Sequence, residues 1–443
     1  MKKENQLTTS IWEKLAYSLG DSGANFVWTF TGSFLTLYYT DSVLLAAAFV
    51  GTIMLIVRIC DGISDIAMGF IIERTNTKIG KARPWFGISI IPLIVTFLLM
   101  FNVPSSMGDS SKRIYVVITY FAMTVVAYTM NNLSFHSMLA RISLTQDDRN
   151  KISAIRGIFA FVTGLVLAIG TQALLSAFGG ESDQGAWSKI AFLYAGICFV
   201  FQTVCFLVTR EKFIEKKEES VASNYSGNMK QGINALFHTK YFYISVVVFV
   251  CSYLISGSTL GVAVYYARDV LKNSAYYALI AIAYVIPMVI GMILVPKLVR
   301  KFGKKNVMAF SGILAAVGFI IGLVFPYSLP MVLTSTVVSS LGSSPYSSIM
   351  FTLAPDIVDY LEKKIHIRIE GLATSATSFG MKVGTGLGTA MIGWGLAIGG
   401  YNALLETQSR NTQIAEMILL FAIPLVATLI RSVSMLFWDI DKQ

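Results

Sequence analysis

The chain has 443 residues, of which 55% are hydrophobic and only 14% charged, and its formal net charge is +10. A soluble domain carries about 25% charged residues, so there is too little charge here to cover a globule of this length. Soluble enzymes fall away on that count, and recurring apolar stretches of about 20 residues are long enough to cross a ~30 Å hydrocarbon core.

Those stretches are unbroken rather than alternating, which excludes a β-barrel and predicts an all-α membrane protein. Hydropathy predicts about twelve spans, at roughly 15–40, 44–72, 85–103, 114–140, 152–178, 188–209, 241–266, 275–299, 306–325, 329–353, 371–400 and 414–438. The polar stretch 210–240 separates an N-terminal six-helix bundle (1–209) from a C-terminal one (241–443). No A-x-A cleavage pattern follows the first apolar run, so no removable signal peptide is expected.

Span 1 carries Asp21, Asn25 and Trp28, which share one helical face. A polar pair beside an aromatic ring suits a sugar, whose hydroxyls take directional hydrogen bonds and whose ring face packs on the indole. The competing account is glycine-assisted helix packing with Asn25 as an interhelical hydrogen bond. In span 2, Arg58, Asp61 and Asp65 form one polar stripe, with Ser64 beside them. Charge at that depth costs about 2.5–3.5 kcal/mol per residue and needs a reason. Two acids against one base leave a surplus negative charge, which a hard monovalent cation or a proton could neutralise; a salt bridge from Arg58 to one acid is the structural alternative.

Basic residues cluster after span 2 (Arg74, Lys78, Lys81, Arg83), after span 8 (Lys297, Arg300, Lys301, Lys304, Lys305) and in the central loop. The positive-inside rule puts those loops and both termini in the cytoplasm. Charges spread over short loops offer no face to nucleic acid, so no nucleic-acid partner is expected. Lys78-Ile79-Gly80-Lys81 and Lys301-Phe302-Gly303-Lys304 stand at equivalent places in the two halves and suggest parallel half-repeats.

Span 4 ends in Thr129-Met130-Asn131-Asn132-Leu133-Ser134-Phe135-His136-Ser137, an unusual density of polar groups. Asn132 and His136 are candidate ligand contacts, with simple packing the alternative for His136. Arg156 opens span 5. Lys382 lies near the middle of span 11, too deep to snorkel easily, and is expected to meet a carboxylate or a ligand. Arg141, Asp147, Asp148 and Arg149 follow span 4, and Asp356, Asp359, Glu362, Arg368 and Glu370 follow span 10. They could latch the cytoplasmic side shut or be ordinary loop charge. Cys60, Cys198, Cys205 and Cys251 sit in apolar context as core fillers. His136, His238 and His366 are too scattered for a zinc site.

Taken together, YSLGDSGANF (17–26), YYTD (38–41), RICDGISDIAMG (58–69), TKIGKARPW (77–85), Asn132 through Ser137, Arg156, and DYLEKKIHIRIEGL (359–372) through Lys382 resemble the glycoside–pentoside–hexuronide:cation symporters of the major facilitator superfamily. The resemblance covers essentially the whole chain. It implies twelve transmembrane helices in two six-helix bundles in a bacterial cytoplasmic membrane, a monomer among lipid, and no enzymatic activity. It implies import of a glycoside or hexuronide by alternating access, coupled to Na+ or H+, with Li+ also admitted. It assigns the cation to Asp61 and Asp65 with Thr129; Ser64 replaces the family's asparagine between the carboxylates, which leaves the choice of ion open. It assigns the sugar to Asn25, Asn132, Arg156 and Lys382, with Asp21, Trp28 and His136 as further contacts. Asn25 and Asn132 stand where melibiose carriers have aspartates, which leans toward the glucuronide and xyloside branch. Arg58, Arg141, Asp356 and Asp359 are read as gating or structural charges. A same-fold lysolipid:cation symporter, marked by a lateral lipid-facing pocket, is one alternative. An intramembrane prenyltransferase holding Mg²⁺–diphosphate on Asp61/Asp65 and Asp356/Asp359 is another, but twelve spans in two halves is the wrong architecture for it.

Overall fold

A computed structural model describes residues 9–142, 146–211, 236–365, 370–405 and 407–440. The chain divides into two units, Met1–Lys216 and Lys217–Gln443. In the first, α1 (Ile11–Leu37) is prolonged by a π-helical turn, Tyr38–Ser42, and is followed by α2 (Ala47–Arg74) and α3 (Arg83–Met100). Next come α4 (Asp109–Phe121), a π-helical stretch (Ala122–Tyr128) and α5 (Thr129–Ile142) as one continuous run, then α6 (Gln146–Phe178) and α7 (Gln184–Val208). The second unit holds α8 (Lys240–Asp269), α9 (Tyr276–Phe302), α10 (Lys304–Val324), α11 (Leu329–Ile365) and α12 (Glu370–Ile398). It closes with α13 (Arg410–Met417), which runs through a π turn (Ile418–Ala422) into α14 (Ile423–Leu436). Among the described residues each unit therefore has six long helical runs. Eight of these are long and apolar enough to cross a membrane by length and composition; the remaining four are α1, α2, α11 and α12, each carrying polar or charged residues singled out above.

Local chemistry starts the helices where the sequence marks them. Ser10 caps α1 in a reciprocal box: Glu13 N donates to Ser10 Oγ at 3.2 Å and Ser10 N donates to Glu13 Oε2 at 3.0 Å. Gly80 (φ +126°) and Gly303 (φ +77°) both adopt backbone that side-chain-bearing residues rarely take, so the two K-x-G-K turns need their glycines. In the second unit α12 lies against α8 through Gly384 and Gly388, where a Cβ would meet the carbonyls of Val250 and Leu254.

Tyr17, Phe86, Phe135, Met138 and Cys205 belong to one buried core in the first unit. Tyr241, Tyr346, Met435 and Trp438 belong to the core of the second. The cysteines are free, and Cys198, Cys205 and Cys251 are buried.

Two boundaries differ from expectation. The tenth span was expected to end near 353, but α11 continues to Ile365, so Asp356, Asp359 and Glu362 are helical rather than loop residues. Average hydropathy falls there, yet Ala354, Ile357, Val358 and Leu361 stay buried and keep the helix amphipathic. Likewise α6 begins at Gln146, which places Arg156 inside the helix rather than at its opening. The side chains of Asp147, Arg149 and Glu370, and residues 366–369 with His366 and Arg368, lie outside the described residues, as does 212–235 of the central loop.

Asp148 ties the chain's start to α6. Thr9 N donates to Asp148 Oδ2 at 2.9 Å, and Lys14 Nζ donates to Asp148 Oδ1 at 2.5 Å. Those two donors hold its carboxyl below the ordinary carboxylate range. A depressed folded-state pKa contributes stability that is present above the ordinary carboxylate pKa and lost as pH falls through the depressed value. Asp148→Asn should therefore lower Tm at neutral pH, and the gap to wild type should close on acidification. A gap that stays constant from neutral to acid pH would show that the charge is not the cause.

Candidate polar site

Four helices of the first unit bring the candidate residues together. On α2, Asp61 is buried, and its Oδ1 accepts from Thr129 Oγ1 at 2.8 Å. Ser64 Oγ lies 3.1 Å from the same threonine oxygen and donates to the Asp61 carbonyl at 2.9 Å. A carboxylate oxygen, two hydroxyls and a carbonyl oxygen are thus gathered in one place, with Asp65 one turn further along α2 and half-buried. This is hard oxygen chemistry suited to a monovalent cation.

The π-helical stretch sets the threonine's position. Thr129 follows it directly, and its hydroxyl also reaches the carbonyl of Thr124, five residues back, at 3.2 Å. That is the π spacing, a local expansion frequent at functional sites.

Next to the acid lies an aromatic stack. Trp28 on α1 stacks on Tyr128 with centroids 3.9 Å apart and planes at 11°. The Arg58 guanidinium rests 4.0 Å from the Trp28 ring centre, which places this cation on a π-face. Tyr128 OH accepts from Asn132 Nδ2 at 3.2 Å. Further along α1, Asn25 Nδ2 donates to the Asp21 carbonyl at 2.9 Å. Arg156 Nε is 3.7 Å from Asp21 Oδ2, and Arg156 Nη1 is 3.1 Å from His136 Nδ1. Asp21, Asn25, Trp28, Asn132 and Arg156 are all half-buried, as a solvated binding surface requires. Lys382 is half-buried on α12 of the second unit.

Three of the charges read as gates have a partner in their own unit, Arg58 on the Trp28 ring being one. Arg141 Nη1 is 3.7 Å from Glu211 Oε2. Lys304 of the second K-x-G-K turn holds Asp356 at 2.6 Å, while Asp359 is exposed.

Sequence reasoning missed two contributors. Tyr128 is one: an apolar-looking residue in span 4, it both stacks on Trp28 and orients Asn132. Its position directly before Thr129 was the available signal. Glu211 is the other, for its side chain accepts from the amides of the first K-x-G-K turn and the start of α3. Asn131, in contrast, belongs to the interior: it is fully buried, donates to Ser89 Oγ at 2.9 Å, and exchanges hydrogen bonds with Gln202 at 2.7 and 2.9 Å. Tyr128→Phe keeps the stack but removes the acceptor for Asn132. If Asn132 holds the sugar, affinity should fall roughly fivefold, the worth of about 1 kcal/mol for one hydrogen bond. Equilibrium binding to the purified protein reads this, and an unchanged affinity would remove Asn132 from the sugar site.

Among the described residues each half holds six long helical runs, and a polar strip of carboxylates, amides and aromatics lies within the first, an architecture expected of a membrane transporter. The family model described as MFS/sugar transport protein matches residues 16–442, and the chain belongs to that family, within the major facilitator superfamily. The sequence is 28% identical over 434 residues to an isoprimeverose transporter of Lactiplantibacillus pentosus, covering 97% of this chain and 89% of that protein. It is 27% identical over 391 residues to a glucuronide carrier protein homolog of Escherichia coli (strain K12), covering 88% and 84%. In fold it is similar to a D-xylose–proton symporter, with a TM-score of 0.70 at 12% identity over 94% of this chain and 96% of that one. The resemblance read from the residue motifs is borne out at the level of family and fold.

Proposed function

We propose that the protein is a secondary symporter that imports a glycoside or hexuronide together with Na+ or H+ across the cell membrane, both termini facing the cytoplasm, by alternating access. The observation that carries the reading is the Thr129–Asp61 hydrogen bond at 2.8 Å on the same helix as Asn132. The cation is assigned to Asp61, Asp65, Ser64 and Thr129. The sugar is assigned to Asn25, Asn132, Arg156 and Lys382, with Asp21, Trp28 and His136 as further candidates. The names of two relatives, an isoprimeverose transporter and a glucuronide carrier protein homolog, support the substrate class.

Empty, the acid pair holds negative charge that resists desolvation by several kcal/mol. A cation neutralises it and fixes Thr129, and Asn132 lies three residues further along the same helix. Sugar and cation should then raise each other's affinity by the same factor. Sugar affinity measured across a sodium and a pH series, with cation affinity measured reciprocally, tests the reading. Affinity that is flat in both series makes the protein a uniporter.

A second reading, lysolipid:cation symport, has one observation behind it. A cavity of about 700 Å³ lies among α1, α6 and α7, lined by Leu19, Ser22, Phe26, Val162, Phe192 and Val200. Its α1 residues stand on a different face from Asp21, Asn25 and Trp28, and Val162, Phe192 and Val200 are exposed on a membrane helix surface. Lysolipid and labelled glycosides compared in one proteoliposome counterflow assay separate the two readings.

A further inference from the structure

The second unit contains a buried cation with an unusual set of partners. Arg431, on α14, is only 2% exposed. Its Nη1 donates to Ser252 Oγ on α8 at 3.2 Å, and its Nη2 donates to Ser343 Oγ on α11 at 3.0 Å and to Thr428 Oγ1 at 3.4 Å. The guanidinium lies 3.9 Å from the centre of the Tyr346 ring, and Tyr346 OH is itself held by Ser432 Oγ at 2.9 Å. Its Nε is buried without a hydrogen-bond partner. The titratable groups facing it are Cys251 on α8, Tyr284 on α9 and Tyr346 on α11. All are neutral near pH 7, whereas a guanidinium keeps its charge.

Four other cations of this unit are matched with carboxylates. Lys304 has Asp356 at 2.6 Å, Lys240 and Lys305 share Asp439 at 3.0 Å each, and Arg268 has Asp269 at 2.8 Å. Arg431 has dipoles and a ring face instead. Its depth sharpens the contrast. Ser252 is twelve residues beyond the start of α8 at Lys240, which at 1.5 Å per residue is about 18 Å, near the middle of a ~30 Å core. A positive charge there is costly unless it is neutralised.

We propose that Arg431, with Ser252, Ser343 and Thr428, is a recognition point for a monovalent anionic group. The free Nε–H donates to it, the serine and threonine hydroxyls turn to donate as well, and the Tyr346 face fixes the plane of the guanidinium. The group is either a small free anion such as chloride or the acid group of a hexuronide. The second source rests on the sugar-symport reading above, and the first does not.

The test uses the purified full-length chain in lipid nanodiscs at constant sodium. One arm compares Tm in sodium chloride with Tm in the sodium salt of a bulky sulfonate buffer. The other compares binding of a methyl glucuronide with binding of the matching methyl glucoside. A Tm that climbs with chloride in wild type but not in Arg431→Met assigns a free anion, because a ligand that binds only the folded state stabilises it by mass action. A glucuronide preference of about tenfold or more, lost in Arg431→Met while glucoside binding is kept, assigns the substrate's acid group. If Arg431→Met fails to fold, Ser252→Ala and Ser343→Ala leave the charge in place and should weaken whichever preference wild type shows. A wild type indifferent to chloride and to the sugar's charge overturns the proposal, as does a preference that survives these substitutions. Failure to bind either glycoside, with the chloride response intact, would sink the sugar reading and leave this one standing.

Discussion

Asp61→Cys should abolish cation-stimulated uptake and leave the protein folded. The carboxylate supplies the charge and one oxygen of the cluster, and its Oδ1 takes the Thr129 hydroxyl at 2.8 Å. A hydrogen bond to a charged group is worth about 1.5–3 kcal/mol, so cation affinity should fall on the order of a hundredfold. Asp65→Cys should do the same, since one carboxylate cannot provide the surplus charge once Arg58 is counted. Thr129→Val is the graded control: it removes a neutral ligand and should cost only about fivefold. Sodium-driven accumulation in proteoliposomes is the measurement. A double Asp→Cys variant that still accumulates sugar in response to sodium would refute the assignment.

Glu211→Ala should have the largest effect on stability. One carboxylate, only 1% exposed, accepts from Lys81 N at 2.9 Å, Ala82 N at 2.8 Å and Arg83 N at 2.7 Å, with Arg141 at 3.7 Å. It thus caps the positive end of α3. Removing it strips an acceptor from three amides and leaves a cation facing them, at a cost of about 3–5 kcal/mol. Gly80→Ala should be damaging by a second route: its φ of +126° disfavours a side chain, and the added Cβ would run into the Glu211 carboxylate. Thermal denaturation in detergent compares the variants, with Glu211→Gln expected between wild type and alanine. An unchanged Tm for Glu211→Ala would mean that the turn holds without its cap.

These two sites differ in how far the sequence reveals them. Asp61, Ser64 and Asp65 announce themselves because charge inside a hydrophobic helix has few benign explanations, and a spacing of three or four fixes their common face. Asp21, Asn25 and Trp28 are legible for the same reason. Glu211 is invisible locally: it stands in a charged stretch that reads as loop, and its partners are about 130 positions away. Arg431 lies inside the twelfth predicted span (414–438) and is open to the same argument, but only the packed bundle shows that it is enclosed and matched with hydroxyls and a ring face. The end of α11 was misplaced because average hydropathy cannot see an amphipathic extension whose buried stripe is as narrow as Ala354, Ile357, Val358 and Leu361.

The π-helical stretch Ala122–Tyr128 has a mechanical consequence. A π segment carries a spare residue relative to an α-helix, and that residue can move along the chain by exchanging hydrogen-bond partners one at a time. Each step turns the residues it passes by about 100° and shifts them by about 1.5 Å. Thr129 and Asn132 sit directly beyond the stretch, on one stiff segment. A register defect that passed along this segment would therefore turn Thr129 first and Asn132 three steps later, so the two side chains would leave their present face in a fixed order.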